Sequence, residues 1–185
     1  MYTAVMNGVQ TKKAGKYFYL IYGIVVVALL CADQGTKWLI QQMLRPGESH
    51  SFLPYVAQLT YVQNTGVAFG AFAGKVNMIT IVSALLMIAL VAFIVIKCPR
   101  SHMIWLSIAA IVAGGIGNMV DRIRLNYVVD FIDLLFMNFP VFNVADMWVV
   151  GGTILLVIYI LFFEEKQSGK EKNLHWRRPG GRTRG

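Results

Sequence analysis

The sequence predicts a mainly α-helical membrane protein, with four transmembrane helices and a small extracytoplasmic cap that contains β-strands. The composition is the first reason, because 57% of the 185 residues are hydrophobic and 14% are charged, whereas soluble domains carry about 25% charged residues. The second reason is that the apolar residues form blocks of about the 20 residues needed to span a bilayer. The length fits one domain. We assign residues 1–163 to it, and residues 164–185 to a basic cytoplasmic tail whose polar composition predicts disorder.

Each predicted helix follows from one of these blocks. Residues 17–32 are uncharged, and the pattern continues to Ile40 if Lys37 extends its ammonium group toward water. The blocks 76–96, 101–120 and 147–163 contain 21, 20 and 17 uncharged residues. The predicted transmembrane helices are therefore about 17–40, 76–97, 102–121 and 146–163.

The charge distribution predicts how these helices are oriented. The net charge is +8, and twelve of the seventeen basic residues lie before helix 1, between helices 2 and 3, or after helix 4. Because cytoplasmic loops are enriched in Lys and Arg, both termini are predicted to be cytoplasmic, and residues 41–75 and 122–145 are predicted to face outward. The basic tail is then a topology anchor near anionic lipid; RNA binding by this tail is the weaker alternative.

The two outward segments differ in composition from the helices. The first begins with the breaker "RPGES", and its residues 55–62 are rich in β-formers and precede the turn signal "NTG". The second contains "YVVDFIDLLF", which fits a short strand with an interfacial piece, ended by Pro140. We expect residues 41–75 to form the strand-bearing cradle on the outer face.

Polar side chains that are unusual in membrane segments converge on the outer ends of helices 1, 3 and 4. Ionisable groups at membrane depth are costly and usually face the bundle interior or a water-filled cavity. Their convergence at one depth therefore predicts a functional site. The residues are Asp33, Lys37, Asn118, Asp121, Arg122, Asn143 and Asp146.

Each of these residues also has a purely structural interpretation. Asp33 and Lys37 have the i,i+4 spacing of a helix-surface ion pair. Asn143 can cap helix 4 with Asp146 at its third position, and Asp121-Arg122 can mark the water boundary. Five glycines are expected to pack helices 3 and 4 closely, namely Gly114, Gly115, Gly117, Gly151 and Gly152.

Asp130 is the acidic residue that is hardest to explain structurally. It lies in the apolar run "YVVDFI", with no cation nearby in the sequence. Asp133 follows three residues later, and its alternation with Phe131 and Leu134 favours a solvated or interfacial side chain over a direct role.

The residue types present restrict the chemistry. The three histidines are scattered, so no metal site is predicted, and the outer rim contains no Ser or Cys nucleophile motif. Two aspartates that share a site cannot both ionise cheaply, so one keeps a proton. The ionised partner can take a proton from a water molecule that attacks an amide carbonyl. Paired aspartates also serve as proton relays in transporters, so both a peptidase and a carrier remain open at this point.

Five motifs in order resemble those of a known family. They are "DQGTKWLI", "NTGVAFG", "GGIGNMVDRI", "YVVDFID" and "FNVADMWVVGG", and they span residues 30 to about 155. With four spans between them, they resemble lipoprotein signal peptidase (signal peptidase II), a family of bacterial membrane aspartic proteases. The resemblance implies four helices with an outer β-cradle in the cytoplasmic (inner) membrane. It also implies cleavage of prolipoproteins just before a diacylglyceryl-cysteine, without a cofactor, and inhibition by globomycin.

The resemblance assigns roles residue by residue. It implies a catalytic dyad of Asp130 and Asp146. Substrate-binding positions are implied at Asn64, Gly66, Asn118, Arg122, Asn143 and Ala145. Supporting positions are implied at Asp33, Lys37 and Asp121. The expected partners are a diacylated prolipoprotein, membrane lipid and globomycin-type inhibitors, with no nucleic acid, and the expected state is a monomer.

Two alternatives belong to other functional classes. A small proton-coupled carrier could use the same carboxylates, but carriers usually show internal repeats or helices broken at the midplane, and the sequence shows neither. A non-enzymatic membrane scaffold would leave the clustered polar residues without a purpose.

Overall fold

The computed structural model describes residues 16–66, 72–97 and 101–164. In this part of the chain, four helices and three strands follow one another. Helix α1 spans Lys16–Met43, β1 Ser49–Leu53, β2 Ala57–Asn64, α2 Val76–Lys97, α3 His102–Leu125, β3 Val128–Leu134 and α4 Val144–Tyr159, with a π-helical turn at Ile160–Glu164. The predicted tail lies, apart from Glu164, outside the described residues.

The four predicted transmembrane helices are confirmed, since all four helices are long and apolar enough to cross a membrane. Their outer ends differ from the prediction. Helix α3 continues beyond Asp121 to Leu125, where Asn126 adopts a left-handed conformation (φ 62°) and its N–H bonds the Arg122 carbonyl oxygen at 3.1 Å. Such a left-handed residue is a common end to a helix. Asp121 and Arg122, which we placed at the boundary of this helix, therefore lie inside it.

The three strands form one antiparallel sheet in the order β1-β2-β3. The predicted strand at 55–62 was wrong at its start, because Tyr55 has a φ of 65° and lies in the turn between β1 and β2. Strand β1 was not predicted, because "SHSFL" has neither an apolar alternation nor a buried side chain. Strand β3 lies where the short outer strand was expected, and it places Asp130 opposite Val62.

A small apolar cluster attaches the sheet to the helices. Ile40 of α1 packs with Tyr61 of β2 and with Val129 and Phe131 of β3, and all four side chains are buried. Because the alternate side chains of β3 point to opposite faces, Asp130 lies on the other face from Val129 and Phe131. This packing sets the position of Asp130 relative to the outer ends of the helices.

Gly114 and Gly152 bring helices α3 and α4 close together, as predicted, whereas Gly115 faces Met87 of helix α2. A Cβ at Gly114 would collide with the Ala145 carbonyl oxygen, and a Cβ at Gly152 would lie 2.7 Å from the Ser107 carbonyl oxygen. A Cβ at Gly117 would collide with Asp33 Oδ2 of helix α1. The prediction was wrong for Gly151, which would meet no atom within 4 Å.

Candidate active site

Asp130 and Asp146 face a common cavity of about 700 Å³. Asp130 comes from the middle of β3, and Asp146 comes from the first turn of α4. Asn64, Asn118 and Arg122 line the same cavity. The fold therefore brings the two aspartates of the predicted dyad together with three of the predicted substrate-binding residues.

The Asp130 carboxyl group is buried, and within the described part of the chain its hydrogen-bond donors are neutral amides. Asn143 Nδ2 donates to its Oδ1 at 2.6 Å, and Asn64 Nδ2 donates to its Oδ2 at 2.7 Å. Burial is the main cause that raises the pKa of Asp130 to about 7, and the charge of Asp146 raises it further while the two asparagine donors lower it. Asp130 can therefore hold or release a proton near neutral pH.

Asp146 is held by the end of the helix on which it lies. Its Oδ2 accepts the backbone N–H of Asn143 at 3.1 Å, and the Asn143 side chain accepts the backbone N–H of Asp146 at 3.0 Å. This reciprocal pair is a capping box, as the structural interpretation predicted. The other oxygen, Oδ1, accepts from Asn118 Nδ2 at 2.8 Å. The capping box therefore uses Oδ2 of this carboxylate, and Asp146 still lines the cavity.

Two asparagines connect the aspartates. Asn143 Nδ2 donates to Asp130 and also to Asn118 Oδ1, the latter at 3.1 Å. Asn118 in turn donates to Asp146. The two carboxylates are therefore held by one continuous chain of amide hydrogen bonds, in which neither Asn118 nor Asn143 carries a charge.

A second group of carboxylates lies next to this chain and is paired with a lysine. Lys37 Nζ lies 3.0 Å from Asp33 Oδ2 and 2.9 Å from Asp121 Oδ2, and it donates to Asn118 Oδ1 at 2.8 Å. The side chains of this ionic cluster, Asp33, Lys37 and Asp121, are at most 4% exposed. The pairing predicted from the i,i+4 spacing is confirmed, but its placement on the helix surface was wrong.

The ionic cluster also holds the backbone just before each aspartate of the dyad. Asp33 Oδ1 accepts the N–H of Ala145, one residue before Asp146, at 2.9 Å. Asp121 Oδ2 accepts the N–H of Val129, one residue before Asp130, at 3.1 Å. The supporting positions thus contact the dyad through the main chain. Ala145 is fully buried, beside Gly114, rather than lining the cavity.

Gln34 was missed by the sequence analysis. Its Nε2 donates to Asp33 Oδ2 and Asp121 Oδ1, each at 3.1 Å, and to the Gly117 carbonyl oxygen at 3.2 Å. It therefore links the two acidic residues of the ionic cluster. The available signal was its place inside the motif "DQGTKWLI", since an uncharged amide within a membrane span needs a hydrogen-bond partner.

Arg122 supplies a positive charge to the cavity. Its guanidinium donates only at 3.5 Å, to the carbonyl oxygens of Asn118 and Gly66. Among the residues that the structure describes, it forms no ion pair within 4.0 Å. Gly66 is held in turn by its N–H bond to Asn64 Oδ1, at 2.9 Å. This weakly bonded guanidinium can take carbonyl oxygens of a bound peptide.

Asp133 lies outside the site. Its Oδ2 accepts from Gln58 Nε2 at 2.8 Å and from Thr60 Oγ1 at 2.9 Å, both on the neighbouring strand β2. It does not line the cavity. These cross-strand hydrogen bonds account for Asp133 without a role in the chemistry.

The arrangement suits hydrolysis by carboxylates. Over the described ranges, no group of three His, Cys, Asp or Glu side chains could hold a metal ion. One carboxyl group that titrates near neutral pH faces a second one across the same cavity, and such pairs can divide the roles of acid and base.

The chain is similar to known bacterial membrane enzymes. The family model of Signal peptidase (SPase) II matches residues 25–162. The lipoprotein signal peptidase of Enterococcus faecalis is 35% identical over 156 residues, which cover 83% of this chain and 95% of the relative. That of Halothermothrix orenii is 40% identical over 137 residues, covering 74% and 92%. A solved bacterial membrane enzyme superposes with a TM-score of 0.74 at 28% identity, covering 90% of this chain and 96% of the other.

The matches extend over all four membrane helices and the sheet. They assign the chain to a peptidase family, so the carrier and scaffold alternatives are not supported. This chain belongs to the signal peptidase II family of lipoprotein signal peptidases.

Proposed function

We propose that this protein removes signal peptides from prolipoproteins by hydrolysing the amide bond before a diacylglyceryl-cysteine, with Asp130 and Asp146 as the catalytic dyad. The observation that carries the proposal is the pair of carboxylates that face one cavity and, among the described residues, are bonded only to neutral amides. A carboxylate that is neutralised by a buried cation is a poor base, whereas this pair keeps its capacity to exchange protons.

We assign the proton of the resting dyad to Asp130, because its pKa lies at about 7. Ionised Asp146 then takes a proton from a water molecule as the water oxygen attacks the carbonyl carbon. Asp130 gives its proton to the carbonyl oxygen, which forms a tetrahedral diol. When the C–N bond breaks, Asp146 gives its proton to the leaving nitrogen and Asp130 takes one back from the diol. The dyad therefore returns to its starting state with one water consumed.

The neighbouring polar groups have positions that suit a bound peptide. Arg122 borders the same cavity as Asn64, where its guanidinium can hold a carbonyl group beside the scissile bond. Asn118 and Asn143 keep both carboxylates oriented throughout the reaction. Preorganised donors of this kind lose little free energy to reorganisation during catalysis.

The position of the two aspartates along the membrane helices indicates their depth in the bilayer. Asp146 lies in the first turn of a span and Asp130 lies just beyond the end of another, so the dyad lies at the boundary between lipid and water. With both termini in the cytoplasm, this boundary is the extracytoplasmic one. A lipid-modified cysteine is anchored at that same depth. We expect the protein to act as a monomer in the cytoplasmic membrane and to be inhibited by globomycin.

Cleavage of a diacylated prolipoprotein by purified protein in detergent tests this proposal. A gel shift follows the loss of the signal peptide for the wild type and for Asp130→Asn, Asp146→Asn and Asp133→Asn. The wild type and Asp133→Asn should cut the substrate, while the two dyad variants should fold and lose activity by about 10²–10⁴-fold, the contribution typical of a general acid or base. Near wild-type cleavage by Asp130→Asn would overturn the dyad assignment, and a wild type that never cuts would overturn the function.

A further inference from the structure

The cavity that contains the dyad continues down one face of helix α4. Met147, Val150, Gly151 and Ile154 line it, at the spacing i, i+3, i+4 and i+7 that places residues on one side of a helix. Residues 139–142 form the facing wall with apolar side chains. The cavity is therefore polar at the carboxylates and apolar where it enters the membrane-spanning part of α4.

Gly151 has no packing reason to be a glycine. The neighbouring Gly152 is buried, and a Cβ there would lie 2.7 Å from the Ser107 carbonyl oxygen. At Gly151 a Cβ would meet no atom within 4 Å. Glycine weakens a helix relative to alanine, so a glycine in open space needs another explanation. The explanation is that Gly151 lies on the cavity wall, where any side chain would project into the groove.

The apolar lining of the groove determines which kind of ligand can bind there. Below Asp146 the α4 wall is formed by Met147, Val150, Gly151 and Ile154, which offer no polar side chain. A peptide lying extended there would have backbone N–H and C=O groups without partners, which is costly in an apolar environment. A helix carries its own hydrogen bonds but is about 10 Å across. A hydrocarbon chain needs neither hydrogen bonds nor that width.

We propose that the groove on α4 binds an acyl chain of the substrate's diacylglyceryl group, and that Gly151 makes the space through which this chain passes. The inference rests on the proposed function and adds to it a specificity-determining residue. The scissile bond at the carboxylates and the hydrocarbon in the groove then belong to one substrate, which the cavity holds at both ends.

The test compares acyl-chain preference rather than activity alone. One prolipoprotein peptide is prepared with two palmitoyl or with two octanoyl chains. The kcat/KM of each is measured in identical lipid nanodiscs for the wild type, Gly151→Leu and Gly35→Leu. Gly35 is the matched control because it is an exposed helical glycine whose Cβ would also meet nothing within 4 Å, and it does not line the cavity. Each substrate partitions into the lipid equally for every variant, so a change in the ratio of the two kcat/KM values between variants is independent of partitioning.

The expected result is that Gly151→Leu lowers kcat/KM for the long-chain substrate at least tenfold more than for the short-chain one, mainly through KM. Gly35→Leu should keep the wild-type ratio. If Gly151→Leu reduces both substrates equally, the groove holds the signal-peptide helix and the inference is overturned. If it reduces neither, the groove holds bilayer lipid or nothing, and the inference is also overturned. A wild type that cuts neither substrate would instead refute the proposed function.

Discussion

Two pairs of aspartates lie next to each other in this protein, and they are treated in opposite ways. Asp33 and Asp121 share the ammonium group of Lys37, at 3.0 and 2.9 Å. Asp130 and Asp146 share no cation at that distance within the described residues, and they accept hydrogen bonds from asparagine side chains and backbone amides. The same residue type is thus paired with a buried cation in one pair and hydrogen-bonded to amides in the other.

We infer from this difference that the ionic cluster supports the structure, whereas Asp130 and Asp146 carry out the chemistry. The ionic cluster binds the backbone N–H groups of Val129 and Ala145, so it sets where the proposed dyad lies without lining the cavity. Asn118 is the contact between the two groups, because its oxygen faces Lys37 and its nitrogen donates to Asp146. The cation therefore fixes which way this amide points. We expect substitutions in the two groups to separate stability from turnover.

The largest effect on stability is expected from Lys37→Met. It leaves Asp33 and Asp121 as buried carboxylates without a cation, and breaking a buried ion pair in this way costs about 3–5 kcal/mol. The free energy of unfolding in detergent measures the loss. Lys75→Met is the matched control, since Lys75 is exposed and its loss should change that free energy by about 0.5 kcal/mol or less. Equal effects of the two substitutions would remove the distinction between the ionic cluster and an ordinary surface charge.

A smaller loss of stability is expected from Gly117→Ala. The new Cβ would collide with Asp33 Oδ2, which Lys37 and Ala145 hold in place, and overpacking of this kind costs about 1–3 kcal/mol. The control is Gly115→Ala, whose Cβ would meet the flexible side chain of Met87 instead. Thermal unfolding of both variants should rank Gly117→Ala as clearly less stable. The reverse order would show that the cluster tolerates displacement.

The pH dependence of cleavage should respond to Asn64→Ala. If Asp130 holds the dyad's proton, kcat/KM falls as the pH rises through its pKa of about 7. The Asn64 hydrogen bond lowers that pKa, so its removal should raise the pKa and move the alkaline limb to higher pH. Thr65→Ala, at an exposed neighbour, should leave the limb in place. An alkaline limb that stays fixed or moves to lower pH in Asn64→Ala would contradict the assignment of the proton.

The smallest effect is expected from Asp133→Asn. Gln58 and Thr60 donate to this carboxylate on a partly exposed face of the sheet. An asparagine keeps an oxygen that can accept from them, so the free energy of unfolding should change by about 0.5 kcal/mol or less. Cleavage should stay near the wild-type rate. A large loss of cleavage with stability intact would place Asp133 among the catalytic groups.

The transmembrane helices could be predicted from the sequence because the bilayer thickness fixes the length of an apolar span. The ends of the helices could not, since α3 continues through the charged residues Asp121 and Arg122. Those side chains turn toward the ionic cluster and the cavity, and the sequence pattern does not show which charges have partners inside a bundle. The same reason explains why the Asp33–Lys37 pair was expected on the surface.

The candidate site was predictable where a motif carried a charged or capping residue. Asp130, Asp146 and Asn118 line one cavity, and Asn143 is fully buried and hydrogen-bonded to all three. Gln34 was not predictable from periodicity, because it lies one residue after Asp33 and its three acceptors come from α1 and α3. Gly151 and Gly152 look identical in the sequence, and only the packing around each one distinguishes them.

The most direct test compares Asp121→Asn with Asp130→Asn in the same preparation. For each variant, the free energy of unfolding in detergent and the single-turnover rate of cleavage of a diacylated prolipoprotein are measured. Asp130→Asn should keep at least wild-type stability and lose about 10²–10⁴-fold in rate, whereas Asp121→Asn should lose stability and retain the larger share of its rate per folded molecule. If Asp130→Asn is destabilised as much as Asp121→Asn, and its rate falls only with the folded fraction, the two pairs of aspartates do not differ in function.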